Sequence, residues 1–244
     1  MSGHSKWSTI KRKKGALDAK RGKIFSKLAR ELTIAAKLGG GDPDLNPRLR
    51  LVLLKAKAAN MPADNIKRAI EKGGGAGEGG DYQDLQYEVY GPAGVGILIE
   101  ATSDNRNRTA GEVRFILTKN GGNLGTAGSV ARLFERKGQI MIPREAADED
   151  ELMELALEAG AEDFRAEEDG FEIITDPAQF EDVQKAIDAK EIRFDAAAVT
   201  FLPTLPAPVT DPKEVDAVNR LIEAIEEQDD VNEVYSNMED HSEG

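Results

Sequence analysis

The run EKGGGAGEGGDY at residues 71–82 divides the chain into two parts that obey different hydrophobic periods. A segment this rich in glycine cannot bury enough surface to order itself and reads as a linker. Before it, apolar residues recur every three or four positions. Phe25, Leu28, Leu32, Ala35 and Ala36 share one helical face, and the glycines at 39–41 end that helix. Asn46-Pro47 supplies a capping side chain followed by proline at the first helical position, and Leu49, Val52, Leu53, Ala56 and Ala59 form the next stripe. Pro62 opens a third, short helix with Ile66, Ala69 and Ile70 inward. Helices of this length need partners, so the three should pack as a small bundle. Residues 1–15 carry only Trp7 and Ile10 as large apolar groups and read as an arm.

Beyond the linker the pattern alternates, as strands do. Tyr87 and Val89, then Val95, Ile97, Ile99 and Ala101, imply two strands joined by the turn YGPAGVG. A helix over 106–120 follows, capped by Ser103 or Asp104 and closed by Gly121-Gly122, and Val130–Phe134 reads as a strand. Then QIMIP, a helix over 150–159, the hairpin of EDFRA and FEIIT, a helix from Asp176-Pro177 and the strand AAAVTFL give the order βαββαβ, that of a ferredoxin-like sandwich. After the connector LPTLPAP, a helix opened by Pro212 and the strand VNEVYS should return to the sheet begun at residue 82. The residues MEDHSEG should be disordered. The expected fold class is α+β, with an N-terminal three-helix domain and two α+β domains, the third inserted into the second. The expected boundaries are 1–80, 81–137 with 206–240, 138–205, and a disordered tail over 241–244.

The charges are segregated along the same line. Residues 1–72 hold 18 Lys and Arg against 6 Asp and Glu, a balance of +12, whereas residues 73–244 sum to −25. Such asymmetry implies a polyanion-binding segment on an acidic, solubilising body, with a solvated charged helical face as the plain alternative. There is no cysteine, which excludes disulfides and thiolate chemistry and fits a reducing compartment. No apolar run approaches the ~18 residues of a membrane span. A soluble cytoplasmic protein is expected.

Enzymatic features are sparse. His4 and His241 lie in the two expected tails, no serine sits in a G-x-S-x-G context, and no phosphate-binding G-x-x-x-x-G-K-[ST] loop occurs. The acids of EAADEDELMELALEAGAED fall on the polar face of a helix and single out no catalytic pair. SDNRNRT, residues 103–109, puts Asn105, Arg106, Asn107 and Arg108 at a helix start, where free backbone N–H groups favour anions. It reads as a capped helix start with two surface arginines, as a contact to nucleic-acid phosphate, or as a small phosphate-processing site. The loop NGGNLGTAGS, residues 120–129, offers backbone approach by the same logic or is a long turn.

Taken together, GHSKW at 3–7, DAKRGKIFSKLARELTIAAKLGGGDPDLNPRLR at 18–50, SDNRNRT, GGNLGTAGSV at 121–130, LEAGAED at 157–163 and DDVNEVYSN at 229–237 closely resemble the YebC family. The family is also called the PmpR type and includes the mitochondrial translational activator of cytochrome c oxidase. The resemblance runs nearly end to end and implies three domains, the third inserted into the second. It further implies a non-enzymatic regulator of gene expression without cofactor or metal. Bacterial members are described as DNA-binding transcriptional regulators. The mitochondrial relative and some bacterial ones are described as translation factors on the ribosome, including at proline-rich stretches.

The expected nucleic-acid-binding residues are Lys6, Trp7, Lys11, Arg12, Lys13, Lys14, Lys20, Arg21, Lys23, Arg48, Arg50, Asn105, Arg106 and Arg108. Lysines follow phosphates, and Trp7 can stack on an exposed base or fold back onto the bundle. The expected partner is DNA or ribosomal RNA, with the ribosome as a further candidate and neither membrane nor small-molecule substrate. Gly39–Asn46 is longer than the turn of a helix-turn-helix, so polyanion binding is better supported than base readout.

Overall fold

A computed structural model of the chain describes residues 22–75 and 82–242. In chain order the elements begin with a helix over residues 22–39 (α1), Pro47–Ala58 (α2) and Ala63–Gly74 (α3). There follow the strands Gln83–Tyr90 (β1) and Gly96–Ser103 (β2), the helix Arg106–Asn120 (α4), and Asn123–Leu124 (β3). Next come Phe134–Pro143 (β4), Glu149–Glu158 (α5), Asp163–Ala166 (β5), Gly170–Thr175 (β6), Phe180–Ala189 (α6) and Ala196–Pro203 (β7). Ala207–Val209 (β8), Pro212–Glu226 (α7), Val231–Ser236 (β9) and Met238–Asp240 (β10) complete the chain, which is an α+β fold. It divides into two compact units, one drawn from Met1–Gly77 and Arg136–Thr200, the other from Glu78–Glu135 and Phe201–Gly244.

In the first unit, α1 to α3 bury Leu28, Leu32, Ala35, Leu49, Val52, Ala56 and Ala69 against one another. The turn between α1 and α2 is fixed by one side chain. Asn46 caps α2 by accepting the Leu49 N–H at 3.0 Å, while its amide donates to the carbonyls of Ala35 and Gly40, each at 2.8 Å. A single buried amide thereby satisfies the end of one helix and the start of the next. Between α1 and α3 the backbones nearly touch. A Cβ built on Gly73 would lie 2.2 Å from the Thr33 carbonyl oxygen, so only glycine permits this approach.

The same unit contains a four-stranded sheet in the order β5-β6-β4-β7, with β4 antiparallel to β6 and β6 to β5. Ile140, Ile142, Phe171 and Ile173 from its strands pack with Leu152 and Ala156 of α5 and Phe180, Val183 and Ile187 of α6. Leu54 of α2 joins this core. Helix α6 starts three residues later than Asp176-Pro177 implies. Asp176 instead closes a turn, its carboxylate accepting the Ala178 N–H at 2.8 Å and its carbonyl the Gln179 N–H at 3.0 Å.

The second unit is built on a sheet of order β3-β1-β2-β9, in which β9 returns to pair antiparallel with β2. Val89, Ile97, Ile99 and Ala101 pack on Val113 and Leu117 of α4 and on Val215, Val218, Leu221 and Ile225 of α7. On the other face Leu98 meets Val130, Phe134, Phe201 and Tyr235.

Two expectations are corrected here. Val130–Leu133 does not extend the strand, because Leu133 N–H closes a tight helical turn on the Val130 carbonyl at 2.9 Å and pairing begins only at Phe134. Residues 238–240 are ordered, not disordered, since β10 runs parallel to β8 and the His241 N–H donates to the Val209 carbonyl at 2.9 Å. The basic arm over residues 1–15 and the centre of the glycine linker lie outside the described residues.

Candidate nucleic-acid interface

The basic residues expected to bind nucleic acid fall into three situations. Lys6, Trp7, Lys11, Arg12, Lys13, Lys14, Lys20 and Arg21 lie outside the described residues. Lys23 is exposed near the start of the described part of α1. Arg48 and Arg50 stand in the first turn of α2, both half-buried. Arg50 is committed within the chain. Its Nη1 donates to the carbonyls of Pro43 at 2.7 Å and Asp44 at 3.1 Å, and its Nε pairs with Glu181 on α6 at 2.9 Å. Its guanidinium therefore holds the α1–α2 turn against α6.

Residues 103–109 begin α4, and the structure shows what holds that start in place. Asn105, and not the expected Ser103 or Asp104, caps the helix, its side-chain oxygen Oδ1 accepting the Arg108 N–H at 3.1 Å. Ser103 and Thr109 both donate hydroxyls to the buried Asp230 carboxylate, at 3.1 and 2.6 Å. The Arg108 guanidinium bridges Asp230 at 2.9 Å and Asp104 at 3.0 Å. These bonds, Asp230 foremost, hold the Arg108 charge more firmly than usual. The Asp230 main chain is held as well, its N–H donating to Gln228 Oε1 at 2.6 Å and its carbonyl accepting the Thr102 N–H at 2.9 Å. SDNRNRT and DDVN are thus two halves of one polar network.

Arg106, at the same helix start, is exposed. Its charge and that of Arg114 act on Tyr87, whose buried hydroxyl has no hydrogen-bond partner among the described residues. Burial raises the Tyr87 pKa, Asp230 adds to the rise, and the two arginines oppose it.

The glycine-rich loop before β4 does hold an anion with its backbone, and that anion belongs to the protein. Glu88 of β1 accepts the N–H groups of Gly128 and Val130, both at 2.6 Å, and of Ala131 at 2.7 Å. Burial pushes the Glu88 pKa up, but the three N–H groups outweigh it and the net shift is downward. An external phosphate would have to displace this carboxylate. Among the described residues no three His, Cys, Asp or Glu side chains come together as a metal site would require. No described helix is long and apolar enough to cross a membrane.

Two family models account for nearly the whole chain. The TACO1/YebC protein N-terminal domain matches residues 5–76, and the TACO1/YebC second and third domain matches residues 82–238. The chain belongs to the TACO1/YebC family. A family protein of Desulforapulum autotrophicum, named a probable transcriptional regulatory protein, is 55% identical over 239 residues, covering 98% of this chain and 96% of that one. One of the same name from Rubrobacter xylanophilus is 53% identical over 240 residues with the same coverage. A crystal structure of a conserved hypothetical protein from Aquifex aeolicus has the same fold, with a TM-score of 0.79, 45% identity and 92% of each chain covered.

In this TACO1/YebC chain, two of the motifs that mark the family resemblance are the segments joined by the buried network. The family's glycine-rich loop is the one that Glu88 grips. Sequence reasoning missed Glu88 and Asp230, which carry these two arrangements. The only signal for Asp230 was its place inside a family motif, and none singled out Glu88. These relatives bear regulatory names.

Proposed function

We propose that this chain is a non-enzymatic regulator of gene expression that binds duplex DNA and controls transcription in the cytoplasm, without cofactor or metal. The observation that carries this reading is the charge segregation. A balance of +12 over residues 1–72 is set against −25 over the remainder, in a chain whose relatives are named transcriptional regulatory proteins. Phosphates meet the basic end, and the acidic body orients the molecule by repulsion.

Affinity comes from Lys6, Lys11, Arg12, Lys13, Lys14, Lys20, Arg21 and Lys23, with Trp7 among them and Arg48 at the start of α2. Base readout by a helix-turn-helix is disfavoured by the seven residues separating α1 from Pro47, a longer connection than that motif uses. The arginines at the start of α4 play unequal parts. Arg106 is exposed and available, whereas Arg108 serves the Asp230 network first.

Crosslinking in cells followed by sequencing of the captured nucleic acid tests the proposal. Fragments clustering at promoters are expected. Fragments clustering in ribosomal RNA would replace it with a translational role.

A further inference from the structure

Helix α4 carries an aromatic ring where an amphipathic helix should be polar. Phe115 is 70% exposed, on the side of α4 opposite the buried Val113 and Leu117. One turn before it stands Gly111, inside the helix, where glycine is disfavoured relative to alanine. Packing does not require that glycine, because a Cβ built on it meets nothing within 4 Å. Residues four apart share a helix face, so Gly111, Phe115 and Lys119 form one strip in which a bare patch of backbone adjoins the ring.

The charge of the helix completes the description. It bears Arg106, Arg108, Arg114 and Lys119 against the single acid Glu112, within a stretch of chain whose balance is −25. Glu112 is engaged by the Gln228 amide at 2.6 Å. Arg114 and Lys119 are exposed, and neither is held in a salt bridge among the described residues.

We propose that the strip of Gly111, Phe115 and Lys119 receives an unpaired base of an RNA strand, the base lying on the ring and over Gly111 while Arg114 and Lys119 meet the flanking phosphates. The chemistry selects this occupant. An exposed ring between exposed cations matches a π-face joined to phosphates, and a base offers that face only when it is unpaired. Duplex DNA keeps its base faces stacked and presents only edges, whereas RNA loops and bulges splay bases outward. A purely apolar protein partner would leave Arg114 and Lys119 without counter-charge. This surface goes beyond the duplex-DNA reading and does not depend on it.

The test uses the full-length chain and a short unstructured ribo-oligonucleotide, with duplex DNA and a single-stranded DNA of the same sequence as comparisons. Base stacking on an aromatic side chain contributes ~1–3 kcal/mol, so Phe115→Ala is expected to weaken RNA binding roughly 5- to 150-fold, leaving duplex binding unchanged. Phe115→Trp is expected to restore RNA binding. Phe115→Leu, which keeps the apolar surface without the ring, should not restore it. Gly111→Leu should lower RNA affinity without lowering the melting temperature.

RNA binding unchanged by Phe115→Ala or by Gly111→Leu, or restored by Phe115→Leu, would overturn the proposal. So would equal dependence of single-stranded DNA on Phe115, which would remove the preference for RNA. A chain that binds duplex DNA but no RNA defeats this inference alone, and one that binds RNA but no duplex DNA defeats only the DNA reading.

Discussion

Thr109 donates its hydroxyl to the Asp230 carboxylate across 2.6 Å, joining the start of α4 to a residue 121 positions later in the chain. The bond belongs to a buried cluster, with Thr109 0% and Asp230 3% exposed. A buried carboxylate is tolerated only when it is hydrogen-bonded, and Ser103 and Arg108 donate to the same oxygen, Oδ2. The arrangement fixes where α4 begins and therefore where Arg106 emerges.

Replacing Thr109 by valine keeps the shape and removes that donor. Hydrogen bonds to charged groups contribute ~1.5–3 kcal/mol, and Thr109→Val should cost about that much. Chemical denaturation followed by circular dichroism measures it. A change within ~0.5 kcal/mol, the scatter of ordinary surface substitutions, would show that the network does not stabilise the fold.

Glu88 makes stability depend on pH. Its folded pKa lies below the ordinary carboxylate value of 4.5, because backbone N–H groups of the 126–131 loop favour the charged form more than burial disfavours it. A group with a depressed folded pKa stabilises the native state above its unfolded pKa and loses that stabilisation as pH falls through the folded value. Glu88→Gln should therefore be less stable than the parent near neutral pH. Denaturation curves of the two should converge as the solution is acidified below about 4.5. A stability gap independent of pH would contradict this account of the loop.

Gly73 and Gly111 provide opposite tests of helix-interior glycine. Alanine at position 73 would drive its Cβ to 2.2 Å from the Thr33 carbonyl oxygen and 2.8 Å from the Ala36 Cβ. Separation of α1 and α3 should cost ~1–3 kcal/mol, exceeding the gain in helix propensity of about 1 kcal/mol. At Gly111 the same substitution meets open space, so only the propensity gain remains. Thermal melts should show Gly73→Ala lowering and Gly111→Ala raising the melting temperature. A rise at both positions would mean that the α1–α3 contact is looser than described.

The elements that could be read from the sequence are those whose determinants are local. Asn46-Pro47 announces α2 because a cap and a fixed φ act within one turn, whereas at α4 several adjacent polar residues can cap and the structure selects Asn105 over the expected Ser103 or Asp104. What could not be read depends on distant partners. Asn46 also closes α1 through Ala35 and Gly40, which only the packed hairpin brings within reach. Val130 has a strand former's side chain, yet its N–H goes to Glu88 and its carbonyl to Leu133. Met238–Asp240 looks like a polar tail until β8 offers it an edge. Arg50 looks like a free cation until α6 presents Glu181.

The central claim is that the basic end of this chain binds nucleic-acid phosphate, and titration of duplex DNA at several salt concentrations tests it most directly. The full-length chain and a chain lacking residues 2–23 would be compared. Removing those residues deletes eight Lys and Arg together with Asp18. Six to ten phosphate contacts lose roughly 10³ to 10⁵ in affinity between ~50 and ~200 mM salt. The account predicts a fall of that order for the full chain, with weaker binding and a shallower salt slope after the deletion. Equal affinity and equal slope for the two chains, or no binding by either, would contradict it.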